Sequence, residues 1–223
     1  MKVTELHGWQ VGIPEAREIQ RGLAKRVSRS GDVETPRFIA GVDISVGRGV
    51  ALATGAVVVL SYPELKVVEV RLSRSRLRLP YIPGLLSFRE APLILDACWS
   101  LERVPDLILV DGQGISHPRR LGLASHLGLF LDTPTIGCAK SRLIGTFDEP
   151  PAEKGTYSSL LDDDEVIGAV VRTRSHVKPL FVSVGHRCRL ADAIRLTLAC
   201  TTTYRLPEPT RLAHQTVNRI KQG

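Results

Sequence analysis

The order of hydrophobic and polar positions predicts alternating strands and helices. Short runs of Val, Ile and Leu bounded by Gly, Pro or Asp are typical of strands, and apolar residues at helical spacing are typical of amphipathic helices. The predicted strands are residues 38–46, 51–61, 66–72, 107–110, 135–140, 168–174 and 180–184. The predicted helices are residues 14–29, 86–101, 121–131, 190–200 and 210–220. The stretch 147–164, rich in Pro, Gly, Ser and Asp, is expected to be irregular, with its acidic run 162–165 at a turn.

A carboxylate stands at the exit of the fourth predicted strand. Asp111 follows four apolar residues and precedes Gly112 and Gly114, whose small size lets the backbone approach a ligand closely. A carboxylate buried there needs a positive partner, and a hard divalent cation is a common one. His117 and Arg119 follow as donors suited to phosphate. The alternative is a solvated turn in which Asp111 caps the next helix.

Two further acids and a lysine belong to the same group of candidates. Asp43 is the one acidic residue of the first predicted strand and has apolar neighbours. Glu90 interrupts the apolar stripe of the second predicted helix, so it points into a polar site or lies at the edge of the stripe. Lys140 ends the fifth predicted strand and is a candidate partner for a phosphate or an oxyanion.

A lone aromatic residue lies in a segment that cannot be regular. Pro80, Pro83 and Gly84 enclose Tyr81, so this side chain is presented on a stiff loop. Four basic residues crowd the approach to the loop: Arg71, Arg74, Arg76 and Arg78. A rigid aromatic beside a basic strand suits wedging or stacking against nucleobases. The alternatives are a tyrosine packed into the core and a solvated, charged strand face.

Composition narrows the class of protein. A net charge of +7 favours an anionic partner, and clustered arginines suit a phosphate backbone. The 223 residues suit one domain, 1–223, and no obligate protein partner is implied. The chain lacks a run of ~20 apolar residues and a signal peptide, so a cytoplasmic protein without membrane contact is expected. The four scattered cysteines are expected to be small buried hydrophobes.

The order of elements predicts the fold class. A three-strand antiparallel meander, followed by parallel strands that alternate with helices, is typical of a ribonuclease-H-like α/β fold, a mixed sheet flanked by helices. The acids Asp43, Glu90 and Asp111 fall where that architecture places metal ligands. Hydrolysis of a phosphodiester needs an activated water and a stabilised leaving oxygen, and carboxylate-held Mg²⁺ supplies both.

Motifs over nearly the whole chain resemble those of the endonuclease V family. The two most specific strings are Asp-Gly-Gln-Gly-Ile-Ser-His-Pro-Arg, from Asp111 to Arg119, and Pro-Glu-Pro-Thr-Arg-Leu-Ala-His, which ends at His214. Shorter matching strings are Gly-Val-Asp43, Pro-Tyr81-Ile-Pro-Gly84, Phe-Arg-Glu90, Ile-Gly-Cys-Ala-Lys140 and Lys178-Pro-Leu-Phe-Val-Ser-Val-Gly-His186.

The resemblance implies a DNA repair endonuclease that recognises deoxyinosine, which is deaminated adenine, in double- or single-stranded DNA. It implies hydrolysis of the second phosphodiester bond on the 3′ side of the lesion, leaving 3′-hydroxyl and 5′-phosphate ends. The implied metal is Mg²⁺, with Mn²⁺ as a possible substitute. The implied catalytic residues are the metal ligands Asp43, Glu90 and Asp111, together with His214 beside the metal and Lys140 near the scissile phosphate.

The resemblance also implies where the damaged base binds. Tyr81 acts as the strand-separating wedge, and the base enters a pocket built partly from backbone around Gly84 and Gly112. The substrate-binding residues are completed by Pro83, His117 and Arg119. Hypoxanthine offers a carbonyl acceptor and an N1 donor, whereas adenine offers an amino donor and an N1 acceptor, so backbone groups are able to tell them apart.

Two other functions stay open at this point. One is an inosine-specific endoribonuclease acting on RNA, because Tyr81 and His117 do not distinguish DNA from RNA, a distinction that depends on contacts near the 2′ position. The other is a binder of inosine-containing or branched nucleic acid that does not cleave it. The sequence favours a phosphate contact for His117 over a purely structural role in its loop, whereas His126 is expected to be packed on its helix.

Overall fold

The protein is organised around one mixed β-sheet, seen in a computed structural model that describes residues 1–47, 52–77 and 79–222. Among those residues the eight strands are β1 Phe38–Val46, β2 Leu52–Ser61, β3 Val67–Arg76, β4 Leu107–Val110, β5 Thr135–Ala139, β6 Tyr157–Asp162, β7 Glu165–Val171 and β8 Leu180–His186. The five helices of the same described ranges are α1 Ile13–Ala24, α2 Leu86–Trp99, α3 Leu123–Leu131, α4 Leu190–Ala199 and α5 Glu208–Gln222.

The sheet has the predicted mixture of strand directions. Its strand order is β3-β2-β1-β4-β5-β8-β7-β6. The first three strands form an antiparallel meander, and β4 and β5 continue from β1 as parallel neighbours. The remaining strands, β8, β7 and β6, extend the sheet in antiparallel pairs. The predicted ribonuclease-H-like α/β fold is therefore confirmed.

The period of two along β1 divides its side chains between two helical layers. Ala40 and Val42 pack into one buried cluster with residues of α2 and α3. Ile39 points to the other face, where it packs in a cluster with residues of α4. The helix α5 lies over β1 and β2 on that second face. Each fully buried Val or Ile contributes roughly 1.5–3 kcal/mol through removal of apolar surface from water, so both faces hold the strand in place.

A glycine lets α5 approach β1 very closely. A Cβ atom at Gly41 would lie 2.0 Å from the backbone carbon and oxygen of Pro209, in the first turn of α5. Pro209 suits that turn because a first-turn amide has no partner within the helix. The contact places the helix that carries His214 directly over the strand that carries Asp43.

One prediction about the fold is wrong, and one boundary differs substantially. The stretch 147–164 is not irregular throughout, because β6 occupies Tyr157–Asp162 at an edge of the sheet. Only one of its six side chains, that of Leu160, is buried, so the strand lacks the clear apolar alternation by which an edge strand is recognised in sequence. The acidic run was correctly expected at a turn: it joins β6 to β7, and Asp163 has a φ of 53°. The strand β3 extends to Arg76, since charged side chains are favourable on an exposed edge.

Other expectations concern the surface and the cysteines. None of the helices in the described part of the chain combines the length and apolar character that a membrane crossing requires. All four cysteines are buried and free, as expected, and belong to the interior of the fold: Cys98, Cys138, Cys188 and Cys200.

Candidate active site

Two of the predicted acids are neighbours in the sheet. In the parallel pairing of β1 with β4, Val42 lies opposite Val110. The residues that follow this pair are Asp43 and Asp111, so the two acids are at the same position along adjacent strands. Neighbouring strands are about 4.8 Å apart, so the backbones of the two residues are close together. Their side chains are largely shielded from solvent, with exposed fractions of 15% for Asp43 and 14% for Asp111.

The pKa of the third acid, Glu90, is affected by the charges of the other two. Burial, followed by the negative charges of Asp43 and Asp111, raises the pKa of Glu90 on α2 to about 7. Burial also raises the pKa of Asp43, with a further contribution from the charge of Asp111 and an opposing hydrogen bond from His214. The carboxyl groups of Glu90 and Asp43 are both buried close to other negative charge, so positive charge would stabilise this site.

Two basic residues meet the paired aspartates directly. Lys140, which follows β5, forms an ion pair with Asp111. His214 on α5 lies with Nδ1 2.7 Å from Oδ2 of Asp43. On the other side of the imidazole, Asn218 Nδ2 donates to Nε2 over 2.9 Å, so Nδ1 carries the proton that His214 donates to Asp43. The structure thus brings Asp43, Glu90, Asp111, Lys140 and His214 to one end of the sheet.

The donor set fits a hard divalent cation, although the carboxylates are not arranged as ligands. Within residues 1–47, 52–77 and 79–222, no group of three His, Cys, Asp or Glu side chains is close enough to hold a metal ion. The charges of Asp43 and Asp111 nevertheless both raise the pKa of Glu90, and the charge of Asp111 also raises the pKa of Asp43, so the three acids lie in one region of negative potential. Carboxylate oxygens are the ligands that Mg²⁺ and Mn²⁺ prefer. Lys140 and His214 contact Asp111 and Asp43 in this structure, and this accounts for carboxylates that are not arranged around a common point.

A cavity of about 320 Å³ adjoins the acidic end of the sheet. Asp111 and Lys140 belong to its lining, as do Gly84, Gly112 and Tyr81. The side chain of Tyr81 is 66% exposed, so it is presented to solvent at the cavity and is not packed into the core. Pro83, in the same loop, is also exposed. The site of the acids and the loop of the aromatic residue are therefore parts of one surface.

The carbonyl of Gly84 is held by three side chains. It accepts hydrogen bonds from Gln20 Nε2 at 3.0 Å, from Arg119 Nη2 at 2.8 Å and from His117 Nε2 at 3.1 Å. Gly84 itself has a φ of 76°, a conformation that a residue with a Cβ rarely adopts. The loop after Tyr81 is consequently fixed in one conformation at the wall of the cavity.

His117 is placed differently from a side chain that reaches into solvent for phosphate. It is 4% exposed, and burial followed by the charge of Arg119 lowers its pKa to about 4. The neutral ring donates from Nε2 to Gly84 and accepts the amide proton of Arg119 at Nδ1 over 3.1 Å. This geometry supports the structural alternative for His117, namely that it shapes its loop.

The glycines after β4 have different surroundings. A Cβ at Gly112 would make ordinary contacts of 3.5 and 3.6 Å with Leu123 and 3.9 Å with Val110, so packing does not require a glycine there. A Cβ at Gly114 would lie 2.0 Å from the carbonyl oxygen of Val184 in β8. Gly114 is therefore required for packing of the loop on the sheet, whereas Gly112 is part of the lining of the cavity.

The basic residues near the site divide into paired and exposed groups. On β3, Arg71 contacts Glu69 and Glu102, whereas Arg74 and Arg76 are exposed. The fourth arginine of the predicted cluster, Arg78, lies outside the described residues.

His126 is fully buried, as predicted. It lies 2.9 Å from Ser87 Oγ and 2.8 Å from Nε2 of His7. Burial lowers its pKa well below the usual value. It is part of the packing between α3, α2 and the amino-terminal segment.

Three residues of this region were missed in the sequence. Gln20 supports Gly84 from α1, Asn218 supports His214, and Arg205 donates to the backbone carbonyl of Lys140. Asn218 is four positions after His214 on a helix, a spacing that places both on one face and was available as a signal. Gln20 and Arg205 had no such signal, because their partners are distant in the chain.

The carboxylates lie at the end of a mixed sheet that begins with an antiparallel meander, and a cavity walled by loops lies beside them. Together these features define a nuclease of the ribonuclease-H-like class. The family model for Endonuclease V matches residues 21–215. The chain is 51% identical to the endonuclease V of Dehalococcoides mccartyi over 214 residues, which cover 96% of both proteins. This chain belongs to the Endonuclease V family, whose members are endonucleases, that is, phosphodiester hydrolases.

Solved structures show the same likeness. The endonuclease V of Streptomyces avermitilis superposes with a TM-score of 0.92 at 40% identity, covering 100% of this chain and 98% of that one. The endonuclease V of Ciona intestinalis, in complex with a 23mer DNA containing an inosine followed by a ribo-adenosine, superposes with a TM-score of 0.84. That alignment has 31% identity and covers 94% of this chain and 97% of that one.

Proposed function

We propose that this endonuclease recognises deoxyinosine in double- or single-stranded DNA and, with Mg²⁺, hydrolyses the second phosphodiester bond on the 3′ side of the lesion. The products carry 3′-hydroxyl and 5′-phosphate ends. The observation that supports this most strongly is that Asp111 and Lys140 belong both to the acidic end of the sheet and to the lining of a cavity of about 320 Å³. A base in the cavity and a phosphate at the acids are then parts of one bound strand. The four free thiols fit action in the reducing cytoplasm.

The metal ligands in this proposal are Asp43, Glu90 and Asp111. A divalent cation held by them supplies Lewis-acid stabilisation of the charge that develops on the phosphodiester during hydrolysis. His214 orients the carboxylate of Asp43 through its Nδ1–H. Lys140 moves from Asp111 to the scissile phosphate and neutralises part of its charge. Water adds to phosphorus, the bond from phosphorus to the 3′ oxygen breaks, and a proton is delivered to that oxygen.

Recognition of the base is assigned to backbone groups of the cavity wall. The N–H and C=O groups around Gly84 and Gly112 offer both donors and acceptors, which match the carbonyl acceptor and the N1 donor of hypoxanthine. His117 and Arg119 hold the Gly84 carbonyl in place and in this way act on the pocket. Tyr81 fills the space that the base leaves in the strand, supported by its exposure and by the stiffness that Pro83 gives its loop.

The experiment for catalysis compares nicking and binding of one labelled duplex that contains a single deoxyinosine. Asp43→Ala and Asp111→Ala are expected to lower the single-turnover rate by roughly 10³-fold, because several kcal/mol of charge stabilisation depend on the carboxylates. Binding of the duplex should persist. Asp164→Ala removes an exposed acid at the β6–β7 turn and should leave the rate unchanged. Full activity in both site variants would refute the proposal.

RNA is the second candidate substrate, because the Ciona intestinalis complex contains a ribonucleotide directly after the inosine. Matched DNA and RNA oligonucleotides, each with one inosine, should be compared under single-turnover conditions. We expect faster cleavage of the DNA. Faster cleavage of the RNA would replace DNA by RNA in the proposal, and binding without cleavage of either would leave only the non-cleaving binder.

A further inference from the structure

Arg205, in the segment between α4 and α5, joins two strand ends next to the active site. Its Nη2 donates to the backbone carbonyl of Lys140 over 2.8 Å and to that of Pro179 over 2.5 Å. Lys140 follows β5 and Pro179 precedes β8, and these strands are antiparallel neighbours. One guanidinium nitrogen therefore fixes the backbone from which the Lys140 side chain reaches Asp111.

The segment that carries Arg205 is anchored as well. Thr173 Oγ1 donates to the backbone carbonyl of Arg205 over 2.7 Å. Both the side chain and the backbone of Arg205 are thus tied to the part of the sheet formed by β5, β7 and β8. A guanidinium held in this way transmits a fixed position to its acceptors, because its nitrogens lie in one rigid plane.

The hydrogen bonding of Arg205 differs from that of an arginine with a purely structural role. Its Nε is buried without a hydrogen-bond partner among the described residues. By contrast, the guanidinium of Arg172 is also buried, but Nε, Nη1 and Nη2 all donate, to carbonyls and to Glu149. An unmet buried donor lowers stability, so the hydrogen bonds of Arg205 Nη2 to the two strand ends are what hold this guanidinium in place.

Charge connects Arg205 to the same pair of residues. Burial lowers the pKa of Arg205, whereas the negative charge of Asp111 raises it, so the guanidinium lies within the field of that carboxylate. The ammonium of Lys140 already contacts Asp111. The carboxylate therefore experiences two cations, one that touches it and one that supports the first through its backbone.

We propose that Arg205 is a positioning residue of the active site, which holds the backbone of Lys140 so that its ammonium reaches Asp111 and the phosphate beside it. The catalytic part of this inference rests on the proposed phosphodiester hydrolysis. The structural part, which is that the Lys140–Asp111 contact depends on the two hydrogen bonds of Arg205 Nη2, is independent of any substrate. Two measurements address the two parts separately.

The first measurement is the rate at which acetic anhydride modifies the Nζ of Lys140, resolved by peptide mass spectrometry. Arg205→Lys preserves the charge, but the lysine ammonium is on a shorter, flexible stem and does not reach the position of Nη2 between the two carbonyls, so Lys140 should react several-fold faster as its ion pair loosens. Arg172→Lys is the matched control and should leave the reactivity of Lys140 unchanged. An unchanged rate in Arg205→Lys, or an equal increase in both variants, would overturn the proposal.

The second measurement is single-turnover nicking of deoxyinosine DNA at saturating enzyme, with the Kd for the same DNA. Arg205→Gln should lower the rate at least about tenfold, as displacement of a catalytic group by an ångström costs up to about 100-fold. Arg205→Lys should recover part of the loss, and Kd should change less than about threefold. A weaker Kd with an unchanged saturated rate would make Arg205 a phosphate contact and overturn the positioning role. An inactive wild type would instead refute the proposed function, and the acetylation result would still decide the structural part.

Discussion

The close approach of α5 to β1 allows the importance of the His214–Asp43 contact to be tested without changing either residue. Gly41 lies two positions before Asp43, and a Cβ there would be 2.0 Å from the carbon and oxygen of Pro209 and 2.5 Å from the nitrogen of Thr210. These atoms are backbone, so no side chain is able to rotate away. In Gly41→Ala the first turn of α5 must therefore move away from the strand.

The size of the shift follows from the contact distance. Ordinary Cβ contacts begin at 3.4 Å, so an approach of 2.0 Å requires a separation of about 1.4 Å. A shift of that size along the line from His214 Nδ1 to Asp43 Oδ2 opens their 2.7 Å hydrogen bond to about 4.1 Å. Ordinary N–H···O bonds end near 3.2 Å, so the bond is lost. Overpacking costs typically about 1–3 kcal/mol, below the roughly 5–15 kcal/mol of global stability, so the variant should remain folded.

Gly41→Ala should therefore remain folded with a lowered Tm and lose roughly 10²-fold in the single-turnover rate of nicking, the usual cost of an ångström of misplacement. Thermal unfolding and nicking of a deoxyinosine duplex are the assays. Gly31→Ala is the matched control, because its Cβ would lie 2.5 Å from the carbonyl oxygen of Arg187, away from the acids. It should lose stability while keeping its rate. A Gly41→Ala protein with the wild-type rate would show that catalysis does not depend on the position of α5.

Three further predictions concern the loop, the pocket and a buried histidine. Tyr81→Ala should leave Tm unchanged, because the side chain is 66% exposed. It should weaken binding of deoxyinosine DNA by about 1–3 kcal/mol, with less effect on the rate at saturating enzyme. An unchanged affinity would exclude the wedge role of Tyr81. Arg119→Lys keeps the charge but not the bridge from Gln20 to Gly84, so discrimination of deoxyinosine from deoxyadenosine should fall while the salt dependence of binding stays constant. If Arg119→Ala instead reduces the slope of log K against log salt concentration by about 1, the Arg119 side chain contacts phosphate. Burial lowers the pKa of His126 below 6.5, so as the pH falls through 6.5 the unfolded chain takes up a proton that the folded protein excludes. The free energy of unfolding should therefore fall by up to about 1.4 kcal/mol per pH unit. Urea titrations between about pH 5 and 7.5 should show a smaller dependence on pH in His126→Gln, and an equal dependence would contradict the assignment.

Much of the fold could be predicted because the pattern of the chain records burial locally. The central strands β4, β5 and β8 are buried on both faces and appear as short apolar runs, and the meander appears as three β-rich runs separated by turns. The edge strand β6 was missed because one face of it is exposed and it has little apolar patterning. Its existence depends on pairing with β7, which is a tertiary property.

The acids of the site could be predicted for a related reason. A carboxylate within an apolar pattern is costly, so Asp43, Glu90 and Asp111 stand out without knowledge of the fold. The fixed carbonyl of Gly84 has no such signal. Its donors Gln20 and Arg119 are 64 and 35 positions away, and any of the polar residues of the chain would have been an equal candidate. Backbone acceptors carry no side-chain identity, so the residue pattern does not reveal them, and only the resemblance to the family pointed to the backbone around Gly84.

The exposure of the two partners in the Lys140–Asp111 ion pair bears on the proposal that one lysine serves both a carboxylate and a phosphate. The side chain of Lys140 is 42% exposed and that of Asp111 is 14% exposed. Because the ammonium is partly exposed, solvent screens the pair, and separation of the ammonium from the carboxylate costs less than it would for a fully buried pair. A phosphate that enters beside the cavity offers the ammonium an equivalent partner. In the proposed mechanism the carboxylate of Asp111 is then released for a cation, so that arrival of the substrate and completion of the proposed metal site would be a single event.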